Sequence, residues 1–378
     1  MIITNIKLIL KDEIINGSIE IEDGKIKNFS NTTCHLPSAI DGGGAWLMPG
    51  LVELHTDNLD KYFTPRPKVN WPPFSAMKTH DYQLASAGIT TVLDAVALGD
   101  WRDGGTRQQN MSQMINTITD SQKNGMNRVD HYLHLRCELP HESTVPDLVK
   151  YIDNDNLKLV SFMDHSPGQR QFQDINKYRT YYMGKYNFNR EEMVDYEQDQ
   201  VKLSKKWSRK NRLHIAQLCL ERMISMASHD DATQEHVQES HQLSMNIAEF
   251  PTTIEAAKLS HELGLKVLMG SPNVVRGGSH SGNVAAHELA RLGYLDILSS
   301  DYYPMSLLES IFCLTNDNRN TLKLHEAVRL ATYNPARALN LFDRGEIQEG
   351  KLADLILVKE INGQILIDRV FKSGKVIF

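Results

Sequence analysis

Apolar strand-like runs alternate with longer helical stretches between residues 48 and 344, and this alternation restricts the fold more than any other feature. Alternating strands and helices predict parallel pairing, because each crossover helix lets the next strand run in the same direction. About eight such units over ~250–300 residues have the size of a closed (β/α)8 barrel. The predicted strands are Leu51–Asp57, Ile89–Ala95, His131–Glu138, Leu157–Asp164, Met223–His229, Met245–Glu249, Lys266–Ser271 and Asp296–Asp301.

Short runs rich in isoleucine and leucine occupy both ends of the chain. Asn-Gly pairs occur at 16–17 and 362–363, and these dipeptides favour tight hairpin turns. Neither end has enough strands for a sheet of its own. We therefore predict an α/β protein in which residues 1–47 and 345–378 form a small flanking β-sandwich, and residues 48–344 form the barrel.

The composition excludes several classes of partner. The 378-residue chain has a formal net charge of −6, which provides no bulk attraction to nucleic acid or to an anionic membrane. The N-terminus lacks the pattern of a signal peptide, and no apolar run is long enough to span a bilayer. Four scattered cysteines suit reduced thiols. We expect a cytoplasmic protein that acts on a small molecule, and a homo-oligomer is compatible with this sequence.

Residues of metal-ligand type recur where the predicted strands end. His55 and Asp57 are two positions apart in a strand and therefore project from the same face. Active sites of such barrels lie at the carboxyl ends of the strands. A mixed set of imidazoles and carboxylates suits zinc, manganese or a similar ion, and contains too many histidines for calcium or magnesium. We predict that one or two divalent ions are held by His55, Asp57, Glu138, His165, His229 and Asp301.

Each of these residues, taken singly, also has an ordinary structural interpretation. His165 alone is typical of a loop histidine, and Glu138 alone suits a salt bridge with Arg136. The stretch at 229–231 resembles a solvated turn before a helix. The metal hypothesis depends on all six residues falling at the same ends of their strands.

Two segments resemble the metal-dependent amidohydrolase superfamily. Residues 49–57 read Pro-Gly-Leu-Val-Glu-Leu-His-Thr-Asp, and residues 349–358 read Glu-Gly-Lys-Leu-Ala-Asp-Leu-Ile-Leu-Val. The resemblance implies a barrel hydrolase whose metal ligands are the six residues above. It also implies that Asp301 is catalytic, orienting or deprotonating the attacking water.

The chain departs from the superfamily pattern in two respects. Asp57 stands where the superfamily usually has the second histidine of a His-x-His pair. In addition, the predicted strand count places His165 and His229 on strands four and five, whereas the two later histidines usually lie on strands five and six.

Longer strings narrow the resemblance to the PhnM family of diphosphatases, which belong to the carbon–phosphorus lyase pathway. That resemblance implies hydrolysis of α-D-ribose 1-methylphosphonate 5-triphosphate to the 5-phosphate and pyrophosphate, in phosphonate catabolism. The strings are His55–Pro67, Met163–Phe172, Ala227–Thr233, Glu249–Thr253 and Gly270–Asn283.

Basic residues near the predicted strand ends suit such an anionic substrate in a chain that is acidic overall. Lys61 and Arg66 follow the first metal motif, and Arg170 follows His165. Arg276 and His280 lie in a loop rich in glycine and serine after the seventh predicted strand, where barrels of this type often bind phosphate. Arginine also offers planar bidentate contacts to phosphate oxygens. We predict that these five residues bind substrate.

Two other functions are compatible with parts of this pattern. The same ligands serve amidohydrolases that open a cyclic amide or deaminate a base, because fold does not determine function. The chain could also be a non-catalytic binding protein with an amidohydrolase-like fold. The basic loops argue against the first alternative, and the retained ligand set with Asp301 argues against the second.

Overall fold

The computed structural model describes residues 1–66, 68–99, 106–172, 175–279 and 282–378, so His280 lies outside the described residues. The strands are β1 Ile2–Ile9, β2 Ile14–Glu22, β3 Lys25–Ser30, β4 Ile40–Asp41, β5 Trp46–Pro49, β6 Leu51–Thr56, β7 Ile89–Leu98, β8 Asp130–Glu138, β9 Leu157–Met163, β10 Ser225–His229, β11 Ile247–Glu249, β12 Lys266–Gly270, β13 Ile297–Ser299, β14 Leu355–Ile361, β15 Gln364–Lys372 and β16 Lys375–Val376. The helices are α1 Asn58–Phe63, α2 Pro73–Ser86, α3 Thr106–Lys123, α4 Thr144–Val149, α5 Ile175–Tyr186, α6 Arg190–Glu221, α7 Gln234–Gln242, α8 Ile254–Glu262, α9 Ser271–Val275, α10 Ala286–Leu292, α11 Ser306–Thr315, α12 Leu324–Arg329 and α13 Tyr333–Ala338.

The chain packs as two compact units. The first unit comprises Met1–Asp94, Asn116–Tyr132 and Met269–Phe378, and the second comprises Ala95–Ile115 and Leu133–Leu268. The expected domain borders after residue 47 and before residue 345 stay predictions. No helix in the described part of the chain has the length and apolarity needed to cross a bilayer.

Strands from both chain ends form one sheet, in the order β16-β15-β14-β5-β1-β2-β3 with β4 paired to β1. β14 and β15 form a hairpin whose turn residues, Asn362 and Gly363, have φ of 53° and 76°. Positive φ at both positions matches a two-residue hairpin turn, which an Asn-Gly pair favours. β14 also pairs antiparallel with β5, so C-terminal strands complete a sheet that N-terminal strands begin. The pairing of both ends into a separate sheet is therefore confirmed. Its core includes Ile3, Leu8, Ile19, Ile26, Leu47, Leu355 and Phe371.

Strands β6 to β13 form an eight-stranded sheet within the described residues, and each strand neighbours the next in chain order. β6 pairs parallel with β7, and β8 to β12 pair parallel in succession. Thr56 at the end of β6 makes a parallel bridge with Asp301, which nearly closes the sheet into a barrel. The predicted (β/α)8 barrel is confirmed.

The turn from β5 into β6 has room only for glycine. A Cβ on Gly50 would lie 2.3 Å from Oγ1 of Thr90. The N–H of Gly50 donates to the carbonyl oxygen of Asp354 at 2.8 Å, and the N–H of Leu51 donates to that of Gly88 at 3.0 Å. This close packing fixes the start of β6, the strand that carries His55.

The connection between β9 and β10 contains α5 and the 32-residue helix α6. Asn189 caps α6, because its side chain accepts the N–H groups of Glu191 and Glu192 at 2.9 and 3.0 Å. The carboxylate of Glu192 in turn accepts the N–H of Asn189 at 2.8 Å, which completes a capping box. These two helices separate His165 and His229 in sequence, although their strands β9 and β10 are neighbours.

Candidate metal centre

In the first unit, the carboxylate of Glu53 joins the ends of β6 and β13. Oε1 accepts hydrogen bonds from the N–H of His55 and the hydroxyl of Ser299, both at 2.7 Å. Oε2 accepts the N–H of Ser300 at 2.6 Å. Burial raises the pKa of Glu53, while these hydrogen bonds act in the opposite direction. Glu53 thus fixes the backbone that carries His55 and leads into Asp301.

Asp301 and Asp57 follow the carboxyl ends of these two strands. The N–H of Asp301 donates to the carbonyl oxygen of His55 at 3.1 Å, and its φ of 54° is left-handed. Asp57 is the N-cap residue of α1 and makes no side-chain cap hydrogen bond. Its Oδ1 is buried and has no hydrogen-bond partner among the described residues. Because a buried carboxylate oxygen without a donor is unfavourable, this atom fits a cation ligand.

Asn58 connects Lys61 with the turn at Asp301. Nδ2 of Asn58 donates to Oγ1 of Thr56 at 2.6 Å and to the carbonyl oxygen of Asp301 at 3.3 Å. Oδ1 of Asn58 accepts the ammonium of Lys61 at 2.8 Å, and the same ammonium donates to the carbonyl oxygen of Tyr302 at 3.0 Å. These two acceptors are neutral, so they do not cancel the positive charge of the exposed Lys61. Lys61 is therefore suited to meet an anionic ligand.

In the second unit, Glu138 at the end of β8 pairs with His165, which follows β9. Nδ1 of His165 contacts Oε1 of Glu138. Burial alone would raise the pKa of Glu138, but the charge and hydrogen bond of His165 lower it to about 2. Burial acts to lower the pKa of His165, and Glu138 outweighs it and raises that pKa. Only neutral imidazole binds a metal ion, so the raised pKa of His165 acts against metal binding.

His229 at the end of β10 lies beside Asp230 and Glu249. Nδ1 of His229 is 2.9 Å from Oδ2 of Asp230, and Nε2 is 3.7 Å from Oε2 of Glu249. The same Asp230 oxygen is 3.8 Å from Nε2 of His165. The N–H of Asp230 donates to the carbonyl oxygen of Glu249 at 2.9 Å, which joins the ends of β10 and β11. Burial raises and His229 lowers the pKa of Asp230, and the net shift is downward.

The second-unit group has the donors of a divalent metal site. The potential ligand atoms of His165, His229 and Asp230 all lie within 4.8 Å of one another. Two imidazoles and a carboxylate form the mixed nitrogen and oxygen set that zinc and similar ions accept. Separately, in the first unit, the buried Oδ1 of Asp57 has no hydrogen-bond partner among the described residues and is a possible ligand atom. The residues present therefore fit a divalent metal.

Sequence reasoning missed Asp230, a member of this group, and Glu249, which lies beside His229. Taken alone, the stretch at 229–231 resembles a solvated turn, but Asp230 is buried and its carboxylate faces two imidazoles. Glu249 ends β11, the sixth barrel strand, which is where the superfamily usually has its second later histidine. The sequence does contain a signal for Glu249, because it is the last residue of the predicted strand Met245–Glu249.

Three predicted substrate-binding residues are exposed, namely Lys61, Arg66 and Arg276. Arg276 is the C-cap residue after α9, and its N–H donates to the carbonyl oxygen of Pro272 at 3.0 Å. Gly277 follows with φ of 80°, a left-handed conformation that favours glycine. The side chain of Asn273 supports this loop by accepting the N–H of Ala286 at 3.0 Å.

Arg170 differs from these residues because its side chain is buried. It begins a short 3-10 helix, Arg170–Phe172, with φ of 43°. Its guanidinium forms an ion pair with Asp231, and Nη2 donates to Oε2 of Glu239 at 3.2 Å. The structure therefore places Arg170 beside the His229 turn with its charge already paired.

A second histidine–carboxylate cluster in the first unit is explained by hydrogen bonding. Asp94 lies 2.7 Å from Nε2 of His80 through one oxygen and 2.7 Å from Nδ1 of His131 through the other. Nε2 of His131 is 3.3 Å from Oδ1 of Asp81, which also accepts the N–H of Val129 at 3.1 Å. Burial alone would lower the pKa of His131, but Asp94 and Asp81 raise it to about 9. His131 is thus an imidazolium paired with two carboxylates.

Comparison with known proteins agrees with this geometry. Residues 178–377 match the model of the amidohydrolase family. The chain is 58% identical over 378 residues to the α-D-ribose 1-methylphosphonate 5-triphosphate diphosphatase of Escherichia coli strain K12, and the match covers 100% of both chains. An adenine deaminase of Clostridium perfringens is 44% identical over 57 residues, which is 15% of this chain and 10% of that protein.

Solved structures share the fold at low sequence identity. A 5-methylcytosine deaminase from Klebsiella pneumoniae liganded with phosphonocytosine has a TM-score of 0.66 at 15% identity, covering 100% of this chain and 98% of that one. An N-acetylglucosamine-6-phosphate deacetylase from Thermotoga maritima has a TM-score of 0.63 at 16% identity, covering 100% and 99%. On the family match and the full-length relative, the chain belongs to the amidohydrolase family.

Proposed function

We propose that this protein hydrolyses α-D-ribose 1-methylphosphonate 5-triphosphate to the 5-phosphate and pyrophosphate. The 58% identity to the Escherichia coli diphosphatase over the whole of both chains carries this proposal. The products require cleavage of the bridge between the α and β phosphorus atoms. Since the scattered cysteines suit reduced thiols, we further propose that the enzyme works in the cytoplasm during phosphonate catabolism.

The proposed cofactor is one or two divalent ions, with zinc or manganese suited to the donors. In the second unit the proposed ligands are His165, His229 and Asp230, accompanied by Glu138 and Glu249. In the first unit they are His55, Asp57 and Asp301. When bound, such an ion polarises phosphoryl oxygens and lowers the pKa of water.

The protein's own side chains have two further roles in this proposal. The Asp301 carboxylate accepts the proton of the attacking water, and the Glu53 bonds to Ser299 and Ser300 hold the backbone that leads to it. The ammonium of Lys61 and the guanidinium of Arg276 stabilise the charge of the phosphoryl groups. Arg66 and His280 are proposed as additional substrate contacts on sequence grounds.

A product assay separates this function from its alternatives. The purified protein, supplied with zinc or manganese, would be incubated with the ribose methylphosphonate triphosphate and, in parallel, with adenine. Pyrophosphate should appear in equal amount to the triphosphate consumed. Release of orthophosphate alone would contradict the proposal, ammonia from adenine without pyrophosphate would favour a deaminase, and no product from metal-loaded protein would favour a binding role. Carrying out the reaction in ¹⁸O-labelled water identifies the attacked phosphorus, because the label enters either the 5-phosphate or pyrophosphate.

A further inference from the structure

We propose that Arg170 positions the metal centre through Asp231 and does not contact the triphosphate. This inference rests on the proposed function of the same site. Arg170 is 3% exposed and Asp231 is 1% exposed, and their side chains form an ion pair. Glu239 accepts a hydrogen bond from Nη2 of Arg170 at 3.2 Å, and Nε of Arg212 is 3.4 Å from the same carboxylate oxygen. A phosphate oxygen would have to displace these carboxylates from a buried guanidinium, which is unfavourable.

Asp231 is bound on several sides and directly follows the candidate ligands His229 and Asp230. Its Oδ2 accepts the hydroxyl of Ser240 at 3.0 Å. Its carbonyl oxygen accepts the N–H of Thr252 at 2.9 Å. The ion pair with Arg170 therefore completes a set of three contacts that hold Asp231, the second residue after β10.

The turn needs such support because of its backbone conformation. Asp230 has φ of 58°, a left-handed value that a residue with a Cβ retains only when its surroundings enforce it. In this conformation the Asp230 carboxylate lies 2.9 Å from His229 and 3.8 Å from His165. Loss of Arg170 would leave Asp231 as a buried unpaired charge. The turn would relax, and Asp230 would move relative to both imidazoles.

A double-mutant cycle on the full-length protein tests this role. The variants are Arg170→Gln, Asp231→Asn and the double substitution. Arg179→Gln is the matched control, because Nε of Arg179 pairs at 2.7 Å with Glu197 on the exposed surface of the same connection. The zinc dissociation constant would be measured without substrate, by competition with a coloured chelator. The kcat and KM values for the triphosphate would be measured separately at saturating zinc. Thermal melting would report whether each variant is folded.

Each single substitution should weaken zinc binding about 10- to 100-fold, as loss of a group supporting a ligand typically does. The double variant should bind zinc no more weakly than the worse single variant, because both substitutions break one interaction. At saturating zinc, KM for the triphosphate should stay within about twofold of wild type, and Arg179→Gln should match wild type throughout.

Opposite results would overturn the inference. Wild-type zinc affinity in Arg170→Gln, combined with a KM raised more than about tenfold, would assign Arg170 to the substrate. Additive losses of zinc affinity in the double variant would also reject coupling through Asp231. If Arg170→Gln does not fold, zinc affinity would be measured on two other variants. Arg170→Lys keeps the positive charge, and the double variant removes both partners of the ion pair. Zinc affinity is independent of the substrate, so failure to release pyrophosphate would refute the proposed function without deciding this test.

Discussion

Ser300 donates its backbone N–H to the carboxylate of Glu53 at 2.6 Å, and this bond ties the approach to Asp301 to the strand that carries His55. The same carboxylate accepts hydrogen bonds from the hydroxyl of Ser299 and the N–H of His55. One buried acidic side chain thus organises the backbone around two candidate metal ligands. A carboxylate suits this role because it only accepts hydrogen bonds, and three donors point at it.

Glu53→Gln should lower the free energy of unfolding by about 1–3 kcal/mol. The amide nitrogen of glutamine cannot accept a hydrogen bond, so at least one buried donor would lose its partner. Denaturant unfolding at constant pH measures this difference. The exposed Glu360→Gln is the control and should remain within ~0.5 kcal/mol of wild type. Equal stability of Glu53→Gln and wild type would show that the three hydrogen bonds do not require the carboxylate.

The stability of the wild-type protein should fall as pH rises toward 9, because of His131. Its pKa is raised from 6.5 to about 9 in the folded state by Asp94 and Asp81. A group whose pKa is higher in the folded state than in the unfolded state stabilises the protein while it is protonated. For His131 this stabilisation is fully present below pH 6.5 and is lost as pH rises through 9. The contribution is on the order of 3 kcal/mol, since one pKa unit corresponds to about 1.4 kcal/mol.

His131→Gln should therefore lose stability at pH 6 and show a flatter profile between pH 6.5 and 9. The exposed His214→Gln is the control and should keep the wild-type profile. Urea titrations at several pH values provide the measurement. Parallel profiles for wild type and His131→Gln would mean that His131 is not a paired imidazolium.

Removal of His165 or His229 should remove metal. His165→Ala and His229→Ala each delete an imidazole from the second-unit group, where the potential ligand atoms lie within 4.8 Å of one another. Elemental analysis of wild type and both variants would measure metal per chain, with the exposed His214→Ala as control. We expect wild type and control to carry a first-row divalent ion and the two variants to carry less. Equal and negligible metal in all four proteins would refute the metal centre.

The fold was largely predictable because its signals are local. The apolar runs and the Asn-Gly pair at 362–363 depend on neighbouring residues, and the hairpin between β14 and β15 forms at that pair. The hairpin expected at the Asn-Gly pair 16–17 is wrong, because these residues lie inside β2 and pair with β1. His55 and His229 lie near the carboxyl ends of β6 and β10 as expected, because the apolar run before each residue marks its strand.

The finer structure of the site depends on contacts that the sequence does not display. Asp230 and Asp231 look like a polar turn, and only tertiary packing shows that Asp230 faces His229 while Asp231 pairs with Arg170. Arg170 has the chemistry of a phosphate ligand, but its partners come from the later segment 231–239. Burial of a charge is decided by such distant partners, and spacing along one chain does not reveal them.

Asp301→Asn should keep the fold and much of the metal but lose most turnover. Asparagine preserves the shape of the side chain, yet its amide cannot take the proton of the attacking water. Loss of a general base typically lowers the rate ~10²–10⁴-fold. Pyrophosphate release at saturating substrate would measure kcat, with metal content determined on the same sample. Near-wild-type kcat in folded, metal-loaded Asp301→Asn would exclude Asp301 as the base.

Arg276→Ala should reduce kcat/KM for the triphosphate ~10–100-fold and leave metal content unchanged. A charge-assisted hydrogen bond to phosphate is worth about 1.5–3 kcal/mol, and Arg276 is exposed beside the left-handed Gly277. Arg291→Ala is the matched control, because Arg291 is exposed and pairs with Glu288 on α10. Steady-state pyrophosphate release and elemental analysis provide the two measurements. Unchanged kcat/KM in Arg276→Ala would mean that this loop serves the barrel's structure, and that Lys61 and Arg66 are the next residues to test for the triphosphate.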